Sequence, residues 1–318
     1  AAEPCRPAPG LREWMTWWWC SGSSEICHSH AQPCCARPQG SEGYEDESAG
    51  YIPCGLEEAV PMPHAATSVG SRTNAADLEE RPEVEIEGGS RYTGQWRGQH
   101  MHGKGILFRM DGQRYEGSFE SSMAHGFGIF SESNGTTYEG QWDHDQKHGH
   151  GWYVHVDGTT YNGEWQFDKK CGHGRESWPD GAKYEGDFFQ NMKHGLGIYT
   201  SGTGVQYEGQ FRNDNMDGEG CYRFANGRLY IGQWKSGTMT GKGKMELPDG
   251  STFVGQYERG LKHGDGTFTW PDGQSYRGQW RSGKQDGRGV LADVNGVESH
   301  GTWRDGSRIL PPLPEGTE

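Results

Sequence analysis

Long apolar runs are missing from this 318-residue chain, and aliphatic side chains are scarce. Hydrophobic residues make up 31% of it, and no stretch approaches the roughly 18 apolar residues of a transmembrane helix, so nothing is expected to span a bilayer as a helix. A surplus of positive charge is missing as well. The formal net charge is −14. Residues 1–90 hold 5 basic and 15 acidic side chains, and residues 91–318 hold 25 and 29. Neither part offers the basic field that draws nucleic acid or an anionic membrane surface. Cysteines are sparse where order is expected: of 8, only Cys171 and Cys221 lie beyond residue 54. They fall in different units of a 23-residue repeat, so no disulfide framework is expected.

What the chain has in excess is glycine, 53 residues, together with 13 Trp, 14 Tyr and 11 Phe. Disorder accounts for glycine but not for aromatics. The cause is the repeat. Tyr92, Tyr115, Tyr138, Tyr161, Tyr184, Tyr207, Tyr230, Phe253 and Tyr276 stand 23 residues apart without a slip. A glycine comes two residues after each, and a second aromatic two further on: Trp96, Phe119, Trp142, Trp165, Phe188, Phe211, Trp234, Tyr257 and Trp280. Later in each unit comes Gly-x-Gly, as in Gly149 and Gly151, and then a turn signal such as Asp157-Gly158 or Asn226-Gly227.

Tyr-x-Gly-x-Trp has period two, which puts both rings and the glycine on one face of a strand. Gly103-x-Gly105-x-Leu107 repeats the plan in a second strand, its glycines leaving room for a neighbour's ring. Asp-Gly and Asn-Gly supply positive φ for tight turns. The expected fold is therefore all-β: an elongated, single-layer antiparallel meander of nine 23-residue hairpins, roughly 85 Å long at about 4.8 Å per strand. Residues 92–298 form the array. Residues 83–91 read as a capping strand, and 299–318 as a partial repeat ended by Pro311, Pro312 and Pro314. Residues 1–82 read as low-complexity and largely disordered. The chain begins without Met, which reads as a processed or incomplete end. In this segment Cys20, Cys27, His28, His30, Cys34 and Cys35 match no zinc-finger spacing. Trp17–Trp19 lack the basic flanks of a membrane-interface anchor.

The stretches YEGQW…KHGHG, YEGDF…KHGLG and FVGQY…KHGDG resemble MORN (membrane occupation and recognition nexus) repeats, with nine in register. The resemblance implies a non-catalytic, cytoplasmic protein-binding scaffold without a cofactor, of the kind found in flagellar radial spokes and in cytoskeletal or membrane-associated assemblies of protists. Two alternatives stay open: a phospholipid-binding module, or the regulatory arm of a phosphatidylinositol-phosphate kinase or SET-type methyltransferase. Only 12 residues come after residue 306, so the second requires a longer gene product. Self-association into a homodimer is also open. The expected partner is a helical protein segment laid along an aromatic groove, with Tyr138, Trp142, Tyr161, Trp165, Tyr184 and Phe188 as contacts.

Signs of chemistry are weak. Gly98-Gln-His-Met-His-Gly103-Lys104 imitates a phosphate-binding loop, but Gly105 replaces the magnesium-holding hydroxyl and the context is a hairpin. Glu116, Glu139, Glu185 and Glu208 form a solvated ladder, not an acid–base pair. His102, His125, His148, His194 and His263 share one repeat position, so equivalents lie about 9–10 Å apart, too far to share an ion. His144, His148 and His150 are a better set but lack a clear fourth ligand. No metal is assigned.

Overall fold

The computed structural model describes residues 78–309; the cysteine and histidine cluster and Trp17–Trp19 lie outside the described residues. Described residues form one antiparallel sheet of 21 strands with no helix. It opens with β1 (Glu79–Ile86), β2 (Ser90–Arg97), β3 (His100–Phe108), β4 (Arg114–Glu120), β5 (Met123–Ser131), β6 (Thr137–Asp143), β7 (Gln146–Val154), β8 (Thr160–Gln166) and β9 (Lys169–Ser177). The alternation of short and long strands then continues to β20 (Glu298–Arg304), and the sheet ends in the short β21 (Ser307–Ile309). Each strand pairs with its predecessor and its successor, so the sheet is a pure meander. The expected all-β meander is the observed one.

Two turn types alternate. Between units, three-residue loops such as Val156-Asp157-Gly158 close on a hydrogen bond from Gly158 N to His155 O, and Asp157 Oδ1 accepts from Thr159 N. Only the glycine has positive φ, 91° at Gly158. The tight two-residue turns that demand left-handed backbone lie inside each unit. There non-glycine residues accept it: Ser121 and Ser122, His144 and Asp145, Phe167 and Asp168, with φ between 48° and 71°. The second turn residue offsets the strain by bonding back to the preceding unit. Asp145 N donates to Ala124 O while Asp145 Oδ1 accepts from Ala124 N at 2.7 Å; Asp168 does the same at Lys147.

The glycine pair of the second strand has two separate reasons. Every first-to-second-strand hairpin carries a bulge, as between Gly140 and Gln141. The first glycine sits in it with positive φ, 56° at Gly149, where a side chain is strained. The bulge frees the next N–H from the ladder. Gln141 Oε1 accepts it, from His150 N at 3.0 Å; Gln95, Glu164, Asp187, Gln210, Gln233 and Gln279 repeat the device. The second glycine is steric, since a Cβ on Gly151 would sit 2.5 Å from Tyr138 Cζ.

On this face the rings form a zigzag. Tyr138 meets Trp142 of its own unit edge-on at 5.1 Å and Trp165 of the next at 5.4 Å. The pattern runs from Trp96 to Trp303. Edge-to-face pairs contribute about 0.5–1.5 kcal/mol each beyond burial. Trp142 Nε1 also donates to Gly128 O of the preceding unit.

The N-terminal end differs from expectation. β1 begins at Glu79, four residues before the alternating stretch, because Glu79, Glu80 and Arg81 pair with Trp96, Gln95 and Gly94. Trp96 has no repeat before it to accept its buried Nε1, which is without a hydrogen-bond partner. Arg81 covers the ring instead, 4.9 Å from its centroid.

Candidate interaction surfaces

The six residues expected to face a partner lie in the core. Tyr138, Tyr161 and Tyr184 are fully buried, and Trp142, Trp165 and Phe188 are 4–8% exposed. Each of these phenols donates to the carbonyl three residues on, as Tyr138 does to Gln141 O at 2.9 Å. The rings are covered by the array's own side chains. Lys147 Nζ lies 5.5–5.6 Å from the centroids of Tyr138, Tyr153 and Trp165. Lys170 covers Tyr161 and Phe188, and Lys193 covers Trp178 and Tyr184. A cation over a ring face gains about 0.5–2 kcal/mol while its stem buries apolar surface. The period-two pattern correctly put these rings on one face; it carried no information on how deeply the second strand would cover them.

The lysine column is not continuous: Met216, Met239 and Gln285 interrupt it, and the two methionines pack against the rings instead. The position of Lys147 is held by Met101 and Ala124 in the first two units. A groove of about 390 Å³ lies at these units, bordered by Met101, Leu107, Ala124, Phe130, Trp142 and Lys147, with Asp145 and Asp168 also lining it. Of the six expected contacts, Trp142 borders it. Beside the buried rings run half-buried ones from the second strands, including Phe130, Tyr153, Tyr199, Tyr222 and Phe268.

The opposite face is open and mixed. Ile129, Glu139, Trp152 and Asn162 are cross-strand neighbours in one line along the sheet. Trp152 is 46% exposed, Ile198 and Ile231 41%. Glu139 and Glu185 stand exposed on this face as the alternation implies, and Glu185 pairs with Arg175 at 2.5 Å.

The histidines depart from expectation in one respect. His144, His148 and His150 do not converge. His150 lies on the open face opposite Glu164, and the His148 ring packs against Phe167 at 5.7 Å. His144, a left-handed turn residue, instead meets His125 of the preceding unit, ring centroids 5.4 Å apart. Asp143 joins them, its Oδ1 2.5 Å from His144 Nδ1 and 3.4 Å from His125 Nδ1. The spacing of about 9–10 Å concerns one repeat column and leaves aside a column residue with the next unit's turn. The phosphate-loop imitation is a hairpin, with Gly98 in the β2–β3 turn and Lys104 N bonded to Gln95 Oε1. Among described residues no helix is long and apolar enough to cross a membrane.

Similar solved structures include the wild-type TCP10 domain of Danio rerio CPAP in complex with a peptide of Danio rerio STIL, at 13% identity. It covers 70% of this chain and 98% of that one, with a TM-score of 0.37. The SAS-4 (dCPAP) TCP domain of Drosophila melanogaster, in complex with a proline-rich motif of Ana2, is 14% identical, covers 69% and 99%, and has a TM-score of 0.24. A streptogramin B lyase is 12% identical over 70% and 67%, at 0.14. No curated protein sequence matches the chain. The sequence model of the MORN repeat matches nine consecutive segments, 92–114, 115–137, 138–160, 161–183, 184–206, 207–227, 230–252, 253–275 and 276–298. With the repeat's two rings and paired glycines now located in every hairpin, the chain belongs to the MORN repeat family.

Proposed function

We propose that this array is a non-catalytic scaffold that binds a helical segment of a protein partner along its aromatic face. The observation that carries the reading is the groove at the first units, where Met101 and Ala124 replace the covering lysine. Its lining combines apolar side chains (Met101, Leu107, Phe130) with polar and charged ones (Arg109, Gln113, Asp145, Lys147, Asp168), the mixture that suits an amphipathic helix with an apolar stripe and polar flanks. In this reading Tyr138, Trp142, Tyr161, Trp165, Tyr184 and Phe188 form the floor, and a partner reaching them displaces the overlying lysines. Tyr153 and its equivalents meet the partner first. The cellular setting proposed is a cytoskeletal, flagellar or membrane-associated assembly, in keeping with the MORN-only proteins.

Adjacent residues on β7 test the assignment, because Trp152 and Tyr153 point to opposite faces. A partner recovered by proximity labelling should lose binding to Tyr153→Glu and keep it with Trp152→Glu, both variants folded by circular dichroism. The reverse pattern would move the interface to the open face, where Trp152 and Ile198 are exposed. Capture that survives both changes and maps only to residues 1–77 would sink the scaffold reading. Flotation with anionic vesicles tests the phospholipid alternative, which the net charge of −14 opposes.

A further inference from the structure

The meeting of His125, Asp143 and His144 has no counterpart elsewhere in the described repeats. The position of His125 usually holds a residue that lies under the next unit's tight turn. His148 and His194 occupy it too, and like His125 each has a buried Nδ1 without a hydrogen-bond partner. The facing residues of the next unit set His125 apart. Gln166-Phe167 lies beyond His148 and Arg212-Asn213 beyond His194, whereas Asp143-His144 lies beyond His125. The register brings them together: Gly126 pairs with Trp142, so the neighbours His125 and Asp143 face one another.

The orphan nitrogen of His125 therefore lies 3.4 Å from the Asp143 carboxylate, with the His144 ring beside it. One ligand atom from each of the three residues lies within 4.8 Å of the others. A fourth residue organises the first. Glu120 Oε2 stands 3.4 Å from His125 Nε2, near enough to accept the far N–H that a metal-binding histidine donates, which would fix the other nitrogen as a lone-pair donor. A tetrahedral ion about 2.0–2.1 Å from its ligands needs donors about 3.3–3.4 Å apart, which rotation of the half-exposed His144 ring supplies. Two imidazoles and one carboxylate suit zinc, with the fourth position left to water.

We propose that His125, Asp143 and His144 bind a divalent transition ion, zinc in particular, as a clip between the second and third units. Glu120 is a positioning residue. The clip fixes the β6–β7 turn, whose Asp145 borders the proposed partner groove, but the site stands whether or not that groove is used.

Internal controls are built into the repeat. His263 has the same carboxylate partner, Glu258 at 3.2 Å, but Arg281-Ser282 face it from the next unit. His144→Gly is a safe ligand deletion, because His144 has φ of 48° and the first unit already places Gly98 there at 62°. Zn²⁺ titrated into the full chain, monitored by calorimetry, should show a site that weakens about tenfold or more in both His125→Ala and His144→Gly. It should be unchanged in His263→Ala. Co²⁺ absorption separates the site from the cysteines of residues 5–54. The signal lost in the variants should be that of nitrogen and oxygen ligands, with the thiolate charge-transfer band intact. Equal Zn²⁺ affinity and stoichiometry in the parent chain and His144→Gly, or no binding by the parent, would overturn the site.

Discussion

The Tyr138 ring lies against the backbone of Gly151, on the partner strand of its own hairpin, so closely that a Cβ there would sit 2.5 Å from Cζ. The contact recurs at Tyr161 with Gly174 and at Tyr184 with Gly197. Gly151→Ala should therefore destabilise the array by about 1–3 kcal/mol through overpacking. Gly140→Val should do at least as much, because its Cβ would meet Gly151 Cα, backbone that cannot rotate away. Urea unfolding monitored by tryptophan fluorescence measures both. An unchanged midpoint for Gly151→Ala would contradict the ring-on-glycine packing.

Trp142 links two units, donating to Gly128 O and meeting the Tyr115 and Tyr138 rings edge-on. Trp142→Ala should cost about 3–5 kcal/mol. Trp142→Phe should cost far less, since Phe119 and Phe188 already fill that position elsewhere. His148→Ala, at a half-buried ring, should cost less than Trp142→Ala. A larger effect at His148 would mean that the turn column, not the ring zigzag, dominates stability.

The β8–β9 turn offers a gain-of-stability test. Phe167 holds φ of 49° and is 54% exposed, and left-handed backbone costs a non-glycine residue about 1–2 kcal/mol. Phe167→Gly should raise the thermal midpoint, less whatever its contact with His148 contributes. Asp168→Ala next to it should lower the midpoint, as Lys147 N loses the Oδ1 acceptor it now has at 2.9 Å.

Gln141→Ala should cost about 0.5–1.5 kcal/mol, because His150 N would exchange its Oε1 acceptor for water at this exposed bulge. Gln141→Glu should be tolerated, since Glu164 does the same work for His173 N. Hydrogen exchange at the His150 amide reads the effect directly. Unaltered protection in Gln141→Ala would remove the acceptor role.

The buried phenols predict alkaline unfolding. Burial pushes Tyr92 up to about 12, and Tyr138, Tyr161 and Tyr184 further still. In the unfolded chain they ionise near 10. Each folded pKa is raised, so the unfolded state releases protons first. The stabilisation is complete below about pH 10 and is lost as pH rises through 10 towards and past 12, at about 1.4 kcal/mol per pH unit for each phenol. Circular dichroism and tyrosine absorbance should therefore change together in one cooperative step. Ionisation of every tyrosine near pH 10 on an intact sheet would refute the burial.

The spacing alone determined the strands, their alternation, the hairpin order and the shared face of Tyr138, Gly140 and Trp142, because period-two patterning and fixed-length turns are local properties of the chain. It also separated a phosphate-loop imitation from a real one. What lay between strands was decided only by the tertiary structure. The bulge after Gly140 arises from pairing two strands of seven and nine residues, and it turned one glycine of each pair into a backbone requirement and Gln141 into an acceptor. Lys147 reads as a solvated charge in sequence, yet packing lays it across three rings of two units. His125 and His144 stand 19 positions apart and off each other's repeat column; only the register of β5 against β6, with the reversal of the tight turn, brings their nitrogens to one carboxylate. Contacts of that kind depend on strand registry across units, a cooperative property of the folded sheet that no single 23-residue window contains.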